Sequence, residues 1–371
     1  MYLRAAVTSV LLVVVQLGFA DCDCSNPVVR KEWRALSNSE KLAYIDAVKC
    51  LQFQPSQLGH VYDGARCRFD DFQATHINNT DYIHWVGFFQ PLSGGIALSC
   101  LNMSQICGAY AAMRGPNLKS DLNRKSFFND AWHRYWDWTL DVNTEADFPK
   151  SPVFDPVYGF GGNGAYINTT LWANISQHVP GKTGGGCIST GPFANMSVNM
   201  GPGANSFSYN PRCLTRDFSP WFATRTLNAS VVASALRAPD FYEFDRRVEG
   251  GVTIDTGTYH SGGHKGVGGD TGEITDLYSS PGEPVFYLHH ANIDRLWDLW
   301  QRLDWPSRKY DISGPDTAYA YPFNFYGDKP YRNITLDYQM DFQGLLSTDS
   351  QIVAIDDVMD IQGGRLCYTY A

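Results

Sequence analysis

Beyond its first twenty residues, this chain has no apolar run long enough to cross a bilayer. It has no cluster of lysine or arginine either: 29 basic residues stand against 38 acidic ones, for a formal charge of −9. Without a basic stripe nothing replaces phosphate counterions, which excludes nucleic acid as a partner. No segment repeats at a solenoid period, and no tract is of low complexity. Charged residues make up only 18 %, whereas aromatic residues reach 14 %, which suits a thick core or an apolar pocket.

The one apolar run lies at the start. Arg4, the stretch Ala5 to Phe19 and the small-x-small site Gly18-Phe19-Ala20 read as a signal peptide, residues 1–20. The run is short for a membrane span and no stop-transfer pattern follows, so the expected location is secreted and extracellular, with no membrane contact after cleavage. N-x-S/T sequons at Asn78, Asn102, Asn168, Asn174, Asn195, Asn228 and Asn333 agree with this and predict N-glycans. An oxidising compartment lets cysteines pair. Cys187 and Cys213 bracket a loop rich in Gly, Pro and Asn, and Cys367 could join Cys22 or Cys24, although sequence does not decide connectivity. The count of 9 cysteines is odd, so at least one thiol is unpaired or part of the chain is irregular.

Ser37 to Leu51 predicts a helix, with a polar cap and Leu42, Ile45, Val48 and Leu51 on one face. Asp81 to Phe89 reads as helical, Asn228 to Arg247 as a helix or helix pair broken at Pro239, and Glu283 to Gln301 as a strong buried helix starting at Pro284. Residues 141–220 read as a long ordered loop region. Residues 92–131 are rich in Ser, Gly, Asn and Lys without a clean period, and they end abruptly at the aromatic Trp132-His-Arg-Tyr-Trp-Asp-Trp138.

The histidines carry the chemistry. His260 and His264 stand at i, i+4, so a helical turn would put both imidazoles on one face, close enough to share a metal. His290 lies in the next strong helix, and Asp294 follows four residues later, where a carboxylate could support a ligand imidazole. His76 and His84 are eight apart, so a loop must bring one to the other. A zinc protease would need Glu directly after the first histidine, and Ser261 stands there instead. Imidazoles without carboxylate or thiolate ligands suit copper or zinc.

Phe286-Tyr-Leu-His-His-Ala-Asn-Ile-Asp-Arg-Leu-Trp297, with His260-x-x-x-His264 upstream, resembles the CuB half of tyrosinases and catechol oxidases, the type-3 copper proteins. By that register the ligand is His290, with His289 its neighbour. Thr75-His-Ile-Asn and Ile83-His-Trp-Val-Gly-Phe-Phe resemble the first two CuA ligands of short secreted fungal members, Tyr135-Trp-Asp-Trp138 the aromatic block after CuA, and Leu366-Cys-Tyr-Thr-Tyr370 the closing tyrosine motif. The resemblance implies a mainly α fold, in which a central antiparallel helical bundle holds a dicopper site among long ordered loops and a few short strands. It makes residues 21–371 a single tyrosinase-like copper domain, with 92–132 an atypical segment.

The departure falls at Leu92-Ser-Gly, where the family pattern places Trp-His-Arg. No histidine lies between His84 and His133. Either residues 93–131 are an insertion and His133 is a displaced third CuA ligand, or the segment is an irregular translation product and CuA lacks a ligand. The implied ligand set is His76, His84 and His133 for CuA, and His260, His264 and His290 for CuB. The implied activity is oxidation of o-diphenols to o-quinones with O₂, with monophenol hydroxylation a further possibility of the family. For the latter, Glu249 and the residue after the first CuB histidine, here Ser261, are the catalytic candidates that would orient a water, and Lys265 would flank the substrate entrance. The alternative is a non-catalytic secreted glycoprotein with an incomplete CuA site.

Overall fold

Ser37 and Glu40 start the first helix of the structure, a computed structural model that describes residues 24–91, 134–175, 177–320, 324, 329–343, 345, 352–363 and 366–371. The Ser37 hydroxyl accepts the Glu40 N–H at 3.3 Å and the Glu40 carboxylate accepts the Ser37 N–H at 2.8 Å, a reciprocal cap for α1 (Asn38–Phe53). The helices that follow are α2 (Arg68–Ile83), α3 (Pro220–Thr226), α4 (Ala229–Leu236), α5 (Phe241–Glu249), α6 (Tyr259–Gly268), α7 (Val285–Leu303) and the short α8 (Trp305–Arg308). The pair α4 and α5 is the segment expected to break at Pro239, and Asp240 caps the second member by accepting the Glu243 N–H at 2.9 Å. Among the described residues, no helix is long and apolar enough to cross a membrane.

The expected helix from Asp81 to Phe89 does not form. The helix α2 stops at Ile83, and residues 84–88 are bend and turn before a further helical stretch at residues 89–91. Local geometry shows why. His84 is extended (φ −116°, ψ 142°) and Trp85 has φ +51°, the left-handed region that bulky side chains rarely enter. A continuing helix would bond the residue 84 N–H to Thr80 O. Instead the His84 ring Nδ1–H donates to that carbonyl at 2.9 Å. The helix end and the aim of the His84 ring are thus one feature.

A three-stranded parallel ladder joins distant parts of the chain. β1 (Val28–Glu32) pairs with β2 (Arg134–Tyr135) on one side, Lys31 opposite Arg134, and with the last strand, β9 (Tyr368–Tyr370), on the other, Val28 opposite Tyr368. The Cys24–Cys367 disulfide fastens the same two segments, with Cα atoms 5.5 Å apart. The loop region carries the small antiparallel pairs β3 (Gly164–Tyr166) with β4 (Gly185–Ile188), and β5 (Ser197–Val198) with β6 (Arg212–Cys213). Cys187–Cys213 staples it. Arg216, wholly buried, ties it to the start of α7: its Nε and Nη2 donate to the Glu283 carboxylate at 2.8 and 2.7 Å, and Nη1 donates to Phe160 O at 2.9 Å. A further pair, β7 (Gln339–Asp341) with β8 (Ile352–Ala354), closes the set. Cys67 is a free, buried thiol. Trp33, Trp136, Trp138, Trp297 and Trp300 are all fully buried, so the aromatic excess forms the core.

Candidate metal centre

Helix α6 packs against α3, α5 and α7. Its glycines permit that approach: a Cβ on Gly263 would lie 2.3 Å from Cε1 of His289 on α7. The i, i+4 pair His260 and His264 therefore faces His290 directly, and one ring nitrogen from each of the three lies within 4.8 Å of the others. His264 Nδ1–H donates to Ile274 O at 2.7 Å, which leaves Nε2 with a lone pair, 3.2 Å from His290 Nε2. His260 Nε2 and His290 Nδ1 are buried with no hydrogen-bond partner among the described residues. Buried orphan nitrogens and converging lone pairs are what a metal ion would satisfy, and an all-imidazole set suits copper.

His289 differs from its neighbour. The Trp138 indole N–H donates to its Nδ1 at 3.1 Å, and its Nε2–H donates to His260 O at 2.9 Å. Both nitrogens are occupied, so it braces the backbone of α6 and has no lone pair to offer.

On the other side, His76 Nδ1–H donates to Tyr278 O at 2.7 Å, and His84 is held as described above. Each keeps a free Nε2. The His76 and His84 ring centroids are 5.2 Å apart, and His84 lies 6.2 Å from His260. Phe89 sits 4.5 Å from the His260 ring and Phe286 stacks on His290 at 4.1 Å. Burial lowers the histidine pKa values, to about 4 for His84 and His264, so the rings are neutral and able to bind metal. Among the described residues, His76 and His84 form a pair rather than a triad. His133 lies outside the described residues.

Glu249, at the end of α5, is wholly buried, with Oε1 3.9 Å from His260 Nδ1. Burial and then the charge of Asp245 push its carboxyl well above the usual range, while backbone N–H groups of Trp85 and Val86 pull it down. Asp245, one turn earlier on α5, is itself raised by burial and beside Gln90. Ser261 stands in the first turn of α6. Its hydroxyl accepts the Thr258 N–H and donates to Thr258 O, both at 3.1 Å, because the first turn of α6 needs a cap. Asp294 is wholly buried on α7. Its carboxylate accepts the Tyr368 hydroxyl at 2.8 Å and the Tyr370 hydroxyl, and lies 3.6 Å from Arg30, so it joins α7 to the β1–β9 ladder, with no imidazole bonded to it among the described residues. Lys265 lines a cleft of about 800 Å³ together with Trp172, Val252 and Asp276, and burial lowers its pKa. His178 pairs with Asp270 at 2.7 Å, and His60 is exposed.

Several functional groups escaped the sequence. Asp245 was detectable, four residues before Glu249 on a helix with a strong polar-apolar division. The carbonyls of Ile274 and Tyr278 carry no residue-type signal.

Residues 126–303 match the family pattern of the common central domain of tyrosinase. Tyrosinase P of Aspergillus terreus is 32 % identical over 370 residues, covering 94 % of this chain and 93 % of that protein. The chain belongs to the tyrosinase family. N-acetyl-6-hydroxytryptophan oxidase of Emericella nidulans is 34 % identical, with 97 % of each chain covered. A mutant polyphenol oxidase from Thermothelomyces thermophila has the same fold, with a TM-score of 0.70 and 31 % identity over 93 % of this chain and 89 % of that one. Tyrosinase-family proteins bind a dicopper site and use O₂ and phenols. The family match takes in Trp132-His133-Arg134, His260, His264 and His290, and begins after His76 and His84.

Proposed function

We propose that this chain is a secreted dicopper oxidase that converts o-diphenols to o-quinones while O₂ is reduced to water. The observation that carries the reading is the gathering of His260, His264 and His290 within 4.8 Å, beside the His76–His84 pair. His260, His264 and His290 would hold one copper, and His76, His84 and His133 the other. Bound copper supplies O₂ binding and the transfer of electrons from the diphenol. The chain's own part is to keep the imidazoles neutral by burial and to exclude water with Phe89 and Phe286. Glu249 can hold or accept a proton beside His260. Lys265, on the cleft wall, would flank the entrance. Ser261 has its hydroxyl engaged in the α6 cap, which supports diphenol oxidation over monophenol hydroxylation. The relative named for N-acetyl-6-hydroxytryptophan supports a ring hydroxyl on a larger aromatic as the substrate class. The sequons and the Cys24–Cys367 and Cys187–Cys213 disulfides support secretion.

Copper content and catechol turnover test this together. The expected result is two coppers per chain with catechol oxidation, and loss of both the turnover and one copper in His290→Ala. A His290→Ala variant that still oxidises catechol overturns the assignment. The second reading, a non-catalytic glycoprotein with an incomplete CuA, is favoured by the pairing of His76 with His84 alone among the described residues. One copper per chain and no turnover would decide for it.

A further inference from the structure

One short turn, residues 273–279, touches both halves of the histidine cluster. Its Ile274 carbonyl accepts the Nδ1–H of His264 on α6, and its Tyr278 carbonyl accepts the Nδ1–H of His76 on α2, both at 2.7 Å. Those two bonds decide which nitrogen of each ring keeps its lone pair, and in which direction it points. Two imidazoles from helices far apart in sequence thus hang from carbonyls four residues apart.

The turn is itself held from within. Asp276 Oδ1 accepts the N–H groups of Tyr278 and Ser279 at 3.1 and 2.7 Å, and Asp276 Oδ2 accepts the Gly203 N–H at 3.0 Å. A carboxylate receiving bonds from the residues just after it closes a tight Asx-type turn on the Tyr278 side, while the Ile274 side is a separate helical turn closed by the Thr275 N–H on Gly272 O and the Asp276 N–H on Glu273 O. A second tether comes from α2. Gln73, one turn before His76 and fully buried, donates to Ser279 O at 3.0 Å and to Glu273 Oε1 at 3.1 Å. Arg212 Nη2 holds the other Glu273 oxygen at 2.6 Å.

We infer that the 273–279 turn sets the spacing between the two metal-holding halves, with Asp276 and Gln73 as positioning residues that act through His76 and His264. The inference rests on the reading of those two histidines as copper ligands. Removing the Asp276 carboxylate frees the segment that carries the Tyr278 carbonyl, so the His76 ring loses its orientation and its spacing from His264. A merely structural carboxylate would lower stability without a selective effect on copper.

The test compares copper retention by the purified full chain against a graded chelator, with thermal unfolding measured in parallel. Asp276→Ala should weaken copper binding about tenfold or more, the usual size of such outer-shell losses. Asp276→Asn keeps an acceptor oxygen and should recover most of the affinity. Asp270→Asn is the control, because that carboxylate lies on the same cleft but binds Thr169, His178 and Val179. It should lower the unfolding temperature while leaving copper retention within twofold. Because Asp276→Ala can fail to fold, nitrogen NMR of the metal-free parent provides an independent reading. His76 and His264 should both be Nδ1–H tautomers, and either ring found as the Nε2–H tautomer overturns the inference. A parent that holds copper while a folded Asp276→Ala holds it equally tightly also overturns it, and leaves the function reading intact. A parent that binds no copper refutes that reading, and the inference with it.

Discussion

Gly263→Ala places a methyl group where the helix carrying His260 and His264 touches the helix carrying His290. On helix propensity alone the change favours folding by about 1 kcal/mol. The packing says otherwise. The new Cβ would sit 2.3, 2.4 and 2.5 Å from Cε1, Nδ1 and Nε2 of His289. The ring has no slack, since Trp138 holds one nitrogen at 3.1 Å and His260 O the other at 2.9 Å. Either α6 and α7 part or the ring tilts and leaves a buried donor unpaired. Overpacking costs about 1–3 kcal/mol and a buried orphan about 1–3 more, so after the propensity gain the net loss is about 1–5 kcal/mol. Urea unfolding of the metal-free chain measures it. Gly266→Ala on the same helix is the reference: its Cβ would meet Ala223 Cβ at 3.2 Å and nothing else closer than 3.5 Å. Contact and propensity there offset, and the change should stay within about 1 kcal/mol of neutral. A Gly263→Ala chain as stable as the parent, or more stable, would refute the claim that His289 locks the helix contact.

The pH response of the metal-free chain follows from the buried rings. His84 and His264 titrate near 4 when folded against an ordinary 6.5, so the unfolded chain binds more protons between those values. Their contribution is fully present above pH 6.5 and is lost as pH falls toward 4. The buried carboxyls of Asp245 and Glu249 have raised pKa values and act with the opposite sign. The clean measurement is therefore a difference, and His84→Gln should show a shallower fall in urea midpoint from pH 6.5 to 4.5 than the parent. Equal slopes would contradict it. Arg216→Met removes the bidentate partner of a fully buried Glu283, and should cost about 3–5 kcal/mol in the same assay. The double variant Arg216→Met, Glu283→Leu should recover part of that loss, and no recovery would show that the pair is not the source.

What the sequence made legible was local. The Ser37–Glu40 cap, the break near Pro239 and the start of α7 at Pro284 depend on neighbours within a few residues, and each stands where its signal lies. The failure between Asp81 and Phe89 is instructive. An aromatic run reads as a buried helix, but the chain turns there because His84 itself bonds Thr80 O and Trp85 adopts positive φ. Propensity gave way to the demand of placing one imidazole.

Asp294 shows the other limit. At i+4 from His290 on α7, it stands where a helix would line it up with the ligands. Its real partners, Arg30, Tyr368 and Tyr370, come from strands at the two ends of the described chain, paired in parallel beside α7. No periodicity in the sequence announces partners 74, 76 and 264 residues away, yet burial of a carboxylate demands such partners. The same distinction separates the two halves of the histidine cluster. His260 and His264 need only one helical turn, and His290 only the next helix against it, so local spacing was enough to group them. His76 and His84 depend on a helix end and on the Tyr278 carbonyl about two hundred residues away. The pairing of His76 with His84 does not follow from one helical turn, and backbone carbonyls hold both rings, which is why its geometry came from the fold.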